Sequence, residues 1–214
     1  MRLIPDEKLV KIPVKDNKER LINLKKAVPS IQIKLDSVSQ RCQKLPKNIC
    51  YVRESVSKKL IAALKLLPKG YSFRIHDAHR PIKVQEIMYN TKYAKFKKRN
   101  PSWNKEKLRK ETSKFVSPPN IIPPHSTGGT IDLTILNKKG KPLNMGTRCD
   151  VNTTKSFTDS KTISKEARKN RDLLIKVMEK VGFVNYPTEW WHWSYGDRYW
   201  AAVKKKKYSI YGAL

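Results

Sequence analysis

HSTGGTIDLTI, residues 125 to 135, sets a histidine ahead of a glycine pair and an alternating strand directly behind it. In TIDLTI (130–135) the two-residue period of a strand puts Ile131, Leu133 and Ile135 on one face and Thr130, Asp132 and Thr134 on the other. The apolar face is expected to line a core, with Asp132 aimed away from it. Along one straight strand His125 would point the opposite way from Asp132. The Gly128-Gly129 turn resets the chain direction and lets the two side chains converge. Two readings stand at this point, a shared metal ion or a capped turn beside a solvated carboxylate.

A second stretch, PTEWWHWSY (187–195), weighs on that choice. In a regular strand Glu189 and His192 would face opposite sides, so Pro187 predicts that Glu189 lies in a loop and that the strand begins near Trp190. Both side chains then reach one cavity. His125, Asp132 and His192 form a nitrogen and oxygen donor set suited to zinc, which in catalytic sites takes three protein ligands and keeps one position open. Glu189, beside the set but outside it, has the place of a general base. Trp190, Trp191 and Trp193 are expected to exclude water and stiffen the site, with at least one of them a plain core aromatic. The helical His-Glu-x-x-His of other metalloproteases does not occur.

The rest of the chain reads as α+β: one domain over residues 1–214 with a central antiparallel sheet, flanking helices and the zinc site on the sheet. IQIKLD (31–36) and YSFRIH (71–76) alternate as strands, and residues 53–67 place Val56, Leu60, Ala63, Leu64 and Leu67 on one helical face. Pro81 of DAHRP opens a helix toward Tyr93. SPPNIIPP (117–124) stiffens the approach to His125, and Ser164 caps a helix that ends at Gly182. Residues 1–30 read as an extended basic segment and 92–116 as a lysine-rich helical insertion.

With 47 Lys+Arg against 18 Asp+Glu, the formal net charge of +29 would attract any polyanion. The charge is spread along the chain rather than gathered into a stripe with exposed aromatics, so a solvating surface is expected, with no specific nucleic-acid partner. At 38% hydrophobic residues the chain should fold. No apolar run reaches membrane-spanning length, and the start has no signal-peptide pattern. Cys42, Cys50 and Cys149 cannot all pair within the chain, which together with that start points to the cytoplasm, with the periplasm as the alternative. Composition is silent on oligomeric state.

Taken in order, DAHRP, HSTGGTIDLTI, MGTRCD and EWWHWSYGDRYW resemble the D-alanyl-D-alanine dipeptidases of the vancomycin-resistance type, within the wider zinc D,D-peptidase family. The likeness runs from about Ile31 to Trp200. It implies one zinc per chain on His125, Asp132 and His192, Glu189 as catalytic base, and Arg80 as a cation stabilising the developing oxyanion. Asp150 of MGTRCD matches the position that contacts the substrate amine. The implied substrate is the small dipeptide D-Ala-D-Ala, hydrolysed to D-alanine in peptidoglycan precursor supply or recycling. Two other activities are weighed against it: a D,D- or L,D-carboxypeptidase acting on longer stem peptides, and a non-enzymatic binder of nucleic acid or anionic wall polymer. The chain departs from the family pattern at Pro123, where Ser is common, and in its long basic stretch from Lys92 to Lys114. His76 and His79 read as structural, and Cys149 as a small packed residue.

Overall fold

The computed structural model describes residues 3–35, 43, 46, 48–151 and 153–214. Five strands form the main sheet: β2 (Gln32–Ile33), β4 (Ser72–Asp77), β5 (Thr130–Leu136), β6 (Val184–Tyr186) and β7 (Glu189–Ser194). Their spatial order is β2-β4-β5-β7-β6. Every pairing is antiparallel except β2 with β4, so the expected antiparallel sheet carries one parallel edge. A parallel neighbour needs a long crossover, which the chain between Ile33 and Ser72 supplies. That crossover contains β3 (Tyr51–Arg53), paired antiparallel with β1 (Leu21–Asn23), and α3 (Glu54–Leu66). Asp36 of the IQIKLD strand and Cys42 lie outside the described residues.

The amphipathic periods fall where expected. In α3, Val56, Leu60 and Ala63 are fully buried, and in β4 Phe73, Ile75 and Asp77 are buried between half-buried neighbours. Ser164 caps α6 (Lys165–Lys180) by accepting from the Ala167 amide at 3.1 Å, and Gly182, at φ 93°, takes the left-handed turn beyond it. Residues 1–30, expected to be extended, carry α1 (Asp6–Leu9) and α2 (Leu24–Ala27) as well as β1. Leu24 and Val28 are buried there, which ties the segment to the core. The basic stretch 92–116 holds the end of α4 (Ile82–Arg99) and all of α5 (Lys105–Ser113). Phe96 packs on Trp103 at 6.2 Å and on Phe115 at 5.6 Å, which holds these two helices together.

β5 sits between β4 and β7, and all seven of its residues are buried. The alternation holds, with Asp132 aimed away from the core, but Thr130, Asp132 and Thr134 are covered nearly as fully as the isoleucines, which counts against the solvated-carboxylate reading. Because this strand is covered on both faces, its polar side needs internal partners. Thr130 finds one by donating its Oγ1 hydrogen to Asp197 at 2.8 Å, and Asp197 in turn caps α7 (Arg198–Val203). Asp132 faces the site.

Candidate metal centre

His125 lies in a 3-10 turn, Pro124–Thr127, that brings the chain into β5. Arg53, wholly buried, pins that turn: its Nε donates to the Thr127 carbonyl at 2.9 Å, and its amide donates to Gly128 O at 2.9 Å. Gly128 adopts φ 71°, and a Cβ on Gly129 would meet the Tyr195 carbonyl oxygen at 2.1 Å. The glycine pair is thus required by close backbone approach as well as by turn geometry. His125 Nδ1 donates to the Ala78 carbonyl at 2.8 Å, and its Nε2 lies 3.3 Å from Asp132 Oδ2.

On the neighbouring strand Asp132 pairs in register with His192. The expectation that Glu189 would lie in a loop is not met, because it is the first residue of β7. The register between β6 and β7 jumps instead: Asn185 faces Trp193, while the next residue, Tyr186, faces Glu189. This bulge breaks the strict alternation, so Glu189 and His192 reach the same side from within one strand. The Asn185 side chain supports the irregular backbone by donating to the carbonyls of Glu189 at 3.1 Å and His192 at 3.0 Å.

The ligand atoms of His125, Asp132 and His192 all lie within 4.8 Å of one another. His192 Nδ1 stands 3.1 Å from Asp132 Oδ1 and 3.5 Å from Glu189 Oε2. The former is an ion-pair distance without hydrogen-bond direction, and Asp132 Oδ1 is buried with no hydrogen-bond partner among the described residues. A buried carboxylate oxygen so placed, between two imidazoles that each present a nitrogen, fits a zinc ion in donor type and number. Burial works against the Asp132 charge, but the two histidines outweigh it and hold the carboxyl far below the usual range. Burial pushes Glu189 the other way, and Asp132 adds to the rise against His192, His125 and Arg80. A carboxyl raised in this way is a better proton acceptor than a free one.

All six residues singled out from the sequence line one cavity of about 860 Å³: Arg80, His125, Asp132, Asp150, Glu189 and His192. Arg80 is held by Asp77 at 2.6 Å and by the Gln85 side-chain oxygen at 2.8 Å, while its Nε is buried without a partner. Burial opposes its charge, yet Asp77, Asp132 and Asp150 prevail and the guanidinium stays protonated. Asp150 takes the left-handed φ of 63°, which Asp tolerates. Although the residue is exposed, packing around its carboxyl, with repulsion from Asp132, Asp77 and Glu189, lifts it to about 7. Its loop is clamped by Arg171, a buried residue that donates to the carbonyls of Met145 at 2.8 Å, Lys155 at 2.7 Å and Phe157 at 2.6 Å.

All three tryptophans belong to the hydrophobic core, and of the three Trp191 also lines the cavity. Trp190 donates its ring N–H to Thr147 at 2.8 Å, a core role with one polar handle. Burial lowers His79 to about 4 and raises the Cys149 thiol well above its ordinary value, so neither is charged at neutral pH. Sequence reasoning missed Asn185, Arg53 and Arg171. Arg53 and Arg171 act through carbonyls distant in the chain, and Asn185 acts through a register jump that no local pattern marks.

An α+β fold with a histidine and carboxylate cluster on its central sheet, a carboxyl beside it and a cleft in front of it has the architecture of a metallopeptidase. The family model for D-ala-D-ala dipeptidase (Peptidase_M15) matches residues 17–210, and the chain belongs to that family. A D-alanyl-D-alanine dipeptidase of Synechocystis sp. is 30% identical over 175 residues, covering 70% of this chain and 71% of that protein. One of Escherichia coli is 26% identical over 152 residues, covering 71% and 66%. The solved structure of VanYB in complex with D-alanine-D-alanine is similar at TM-score 0.45 and 15% identity, covering 75% of this chain and 78% of that one. Among the described residues no helix is long and apolar enough to cross a membrane.

Proposed function

We propose that the protein hydrolyses free D-Ala-D-Ala to two molecules of D-alanine with one zinc ion per chain, drawing the dipeptide from peptidoglycan precursor supply or recycling. The observation that carries this is the convergence of His125, Asp132 and His192 within 4.8 Å, with the Glu189 carboxyl 3.5 Å from the His192 ring. Those three residues would hold the zinc, which supplies a Lewis acid that polarises the peptide carbonyl and acidifies water. Glu189 takes the proton of the attacking water and returns one to the departing amine nitrogen. Arg80, fixed and charged, stabilises the negative charge that grows on the carbonyl oxygen and was absent from the neutral substrate. Asp150 receives the substrate ammonium. An acylated dipeptide lacks that charge, and its binding would leave the carboxylate unpaired.

The test is metal analysis of the purified protein together with amine-release assays on D-Ala-D-Ala and N-acetyl-D-Ala-D-Ala. About one zinc per chain, with turnover of the free dipeptide only, is the expected result. Comparable rates on the two substrates would transfer the chain to a carboxypeptidase role, and no turnover of either would defeat the peptidase reading.

A further inference from the structure

Four of the protein's exposed large apolar side chains stand on the cavity of the candidate metal centre: Leu3 (43% exposed), Val10 (39%), Phe115 (43%) and Phe157 (41%). They come from three separate stretches of chain, and none belongs to either hydrophobic core cluster. Single exposed apolar residues are ordinary, but several gathered around one cleft mark a surface that awaits an apolar partner. In a chain that is 30% charged, the gathering is the more telling.

The walls that carry them are anchored. Ile4, Leu9 and Ile12 pack on a cluster containing Tyr199 and Trp200, and Arg198 Nε donates to the Ile12 carbonyl at 3.0 Å. Tyr186 joins that cluster and stands 5.4 Å from the His192 ring, so the wall formed by residues 3–10 adjoins the site itself. Phe115 is fixed by Phe96, and the Lys92 ammonium lies 4.1 Å over its ring. A cavity of about 860 Å³ exceeds what an alanyl dipeptide fills, and lies toward the upper end of small-molecule clefts, roughly 300–1,000 Å³. The family match begins at residue 17, so Leu3 and Val10 lie outside the matched residues.

We propose that this apolar annex receives a large aliphatic or aromatic side chain of the substrate, so that the enzyme favours free dipeptides in which one D-residue is bulkier than alanine. The proposal rests on the peptidase reading of the site and narrows its substrate class. The experiment measures kcat/KM of the zinc-loaded full-length protein on D-Ala-D-Ala, D-Leu-D-Ala, D-Ala-D-Leu, D-Ala-D-Phe and N-acetyl-D-Ala-D-Ala. It repeats the series on Leu3→Asn/Val10→Asn and on Phe157→Asn, exposed positions on which the core does not depend. At least one bulky dipeptide should exceed D-Ala-D-Ala by about tenfold or more, and the variants should cut that ratio by a similar factor. Best turnover of D-Ala-D-Ala by the unaltered protein, or a ratio the variants do not change, would overturn the annex while leaving the peptidase intact. Preference for the acetylated dipeptide would overturn it in favour of a longer peptide chain. Failure to hydrolyse any dipeptide would remove the peptidase reading and the annex with it.

Discussion

At the level of single residues, Glu189 and Asp150 are two carboxyls on one cavity with different surroundings, and those surroundings imply different work. Glu189→Gln preserves shape and removes the base; the variant should retain zinc while turnover falls by about a hundredfold or more, as metal content and kcat together would reveal. Asp150 gives a pH prediction with a definite sign. In the metal-free protein its carboxyl should titrate near 7 by carbon NMR. Zinc on Asp132 should lower that value by reducing the repulsion from Asp132. Above its pKa Asp150 is an anion, and in the proposed role it would hold the substrate ammonium. As pH falls through the pKa the charge is lost and KM for the free dipeptide should rise. Asp150→Asn should abolish that inflection, and Asn is the apt replacement because it tolerates the left-handed backbone at φ 63°. A KM profile unchanged in the variant would dismiss Asp150 as the amine contact.

Among the elements, the β6-β7 pairing shapes the site. Asn185 bonds the carbonyls of Glu189, Trp190 and His192 through the register jump, and its own Oδ1 accepts from the Thr158 hydroxyl. Asn185→Ala would leave buried carbonyls unsatisfied at a cost of about 1–3 kcal/mol, visible in denaturant titration. The same variant should bind zinc more weakly, since the bulge that brings Glu189 and His192 to one side would relax toward regular alternation. Unchanged zinc affinity in a measurably destabilised variant would show that the bulge persists without its amide support. Arg53 serves the neighbouring turn in a similar way, joining Thr127 to Gly212 at the far end of the chain by 2.9 and 3.3 Å bonds from one guanidinium.

For the whole molecule, the metal and the charge make separate claims. Any ligand that binds only the folded state stabilises it by mass action, by about 2.7 kcal/mol at a hundredfold excess over its Kd. Chelation should therefore lower Tm in the unaltered protein and leave His192→Ala, which lacks a ligand, nearly unmoved in calorimetry. Stoichiometric zinc in His192→Ala would refute the ligand set. The +29 charge is spread along the chain, and D-Ala-D-Ala is a net-neutral zwitterion, so kcat/KM should change little between low and moderate salt. A steep fall with salt, or sequence-selective nucleic-acid binding that survives about 200 mM salt, would give the charge a specific partner.

Residues of the proposed site and most of the regular elements were legible in the sequence because their causes are local. Period two in TIDLTI, the apolar face of residues 53–67, the serine cap of α6 and the glycine pair after His125 each express an energy decided within a few neighbours along the chain. The donor types of His125, Asp132 and His192 were legible for the same reason, since chemistry travels with the side chain. Tertiary structure alone decided the covering of both faces of β5, the parallel edge at β2, the bulge within β7 that carries Glu189, and which of three core tryptophans also reaches the cavity. It also decided that residues 3–10 wall the cleft. Those features depend on groups far apart in sequence, such as Arg53 and Thr127, 74 residues distant. The burial and hydrogen bonding that fix them exist only once the sheet has closed.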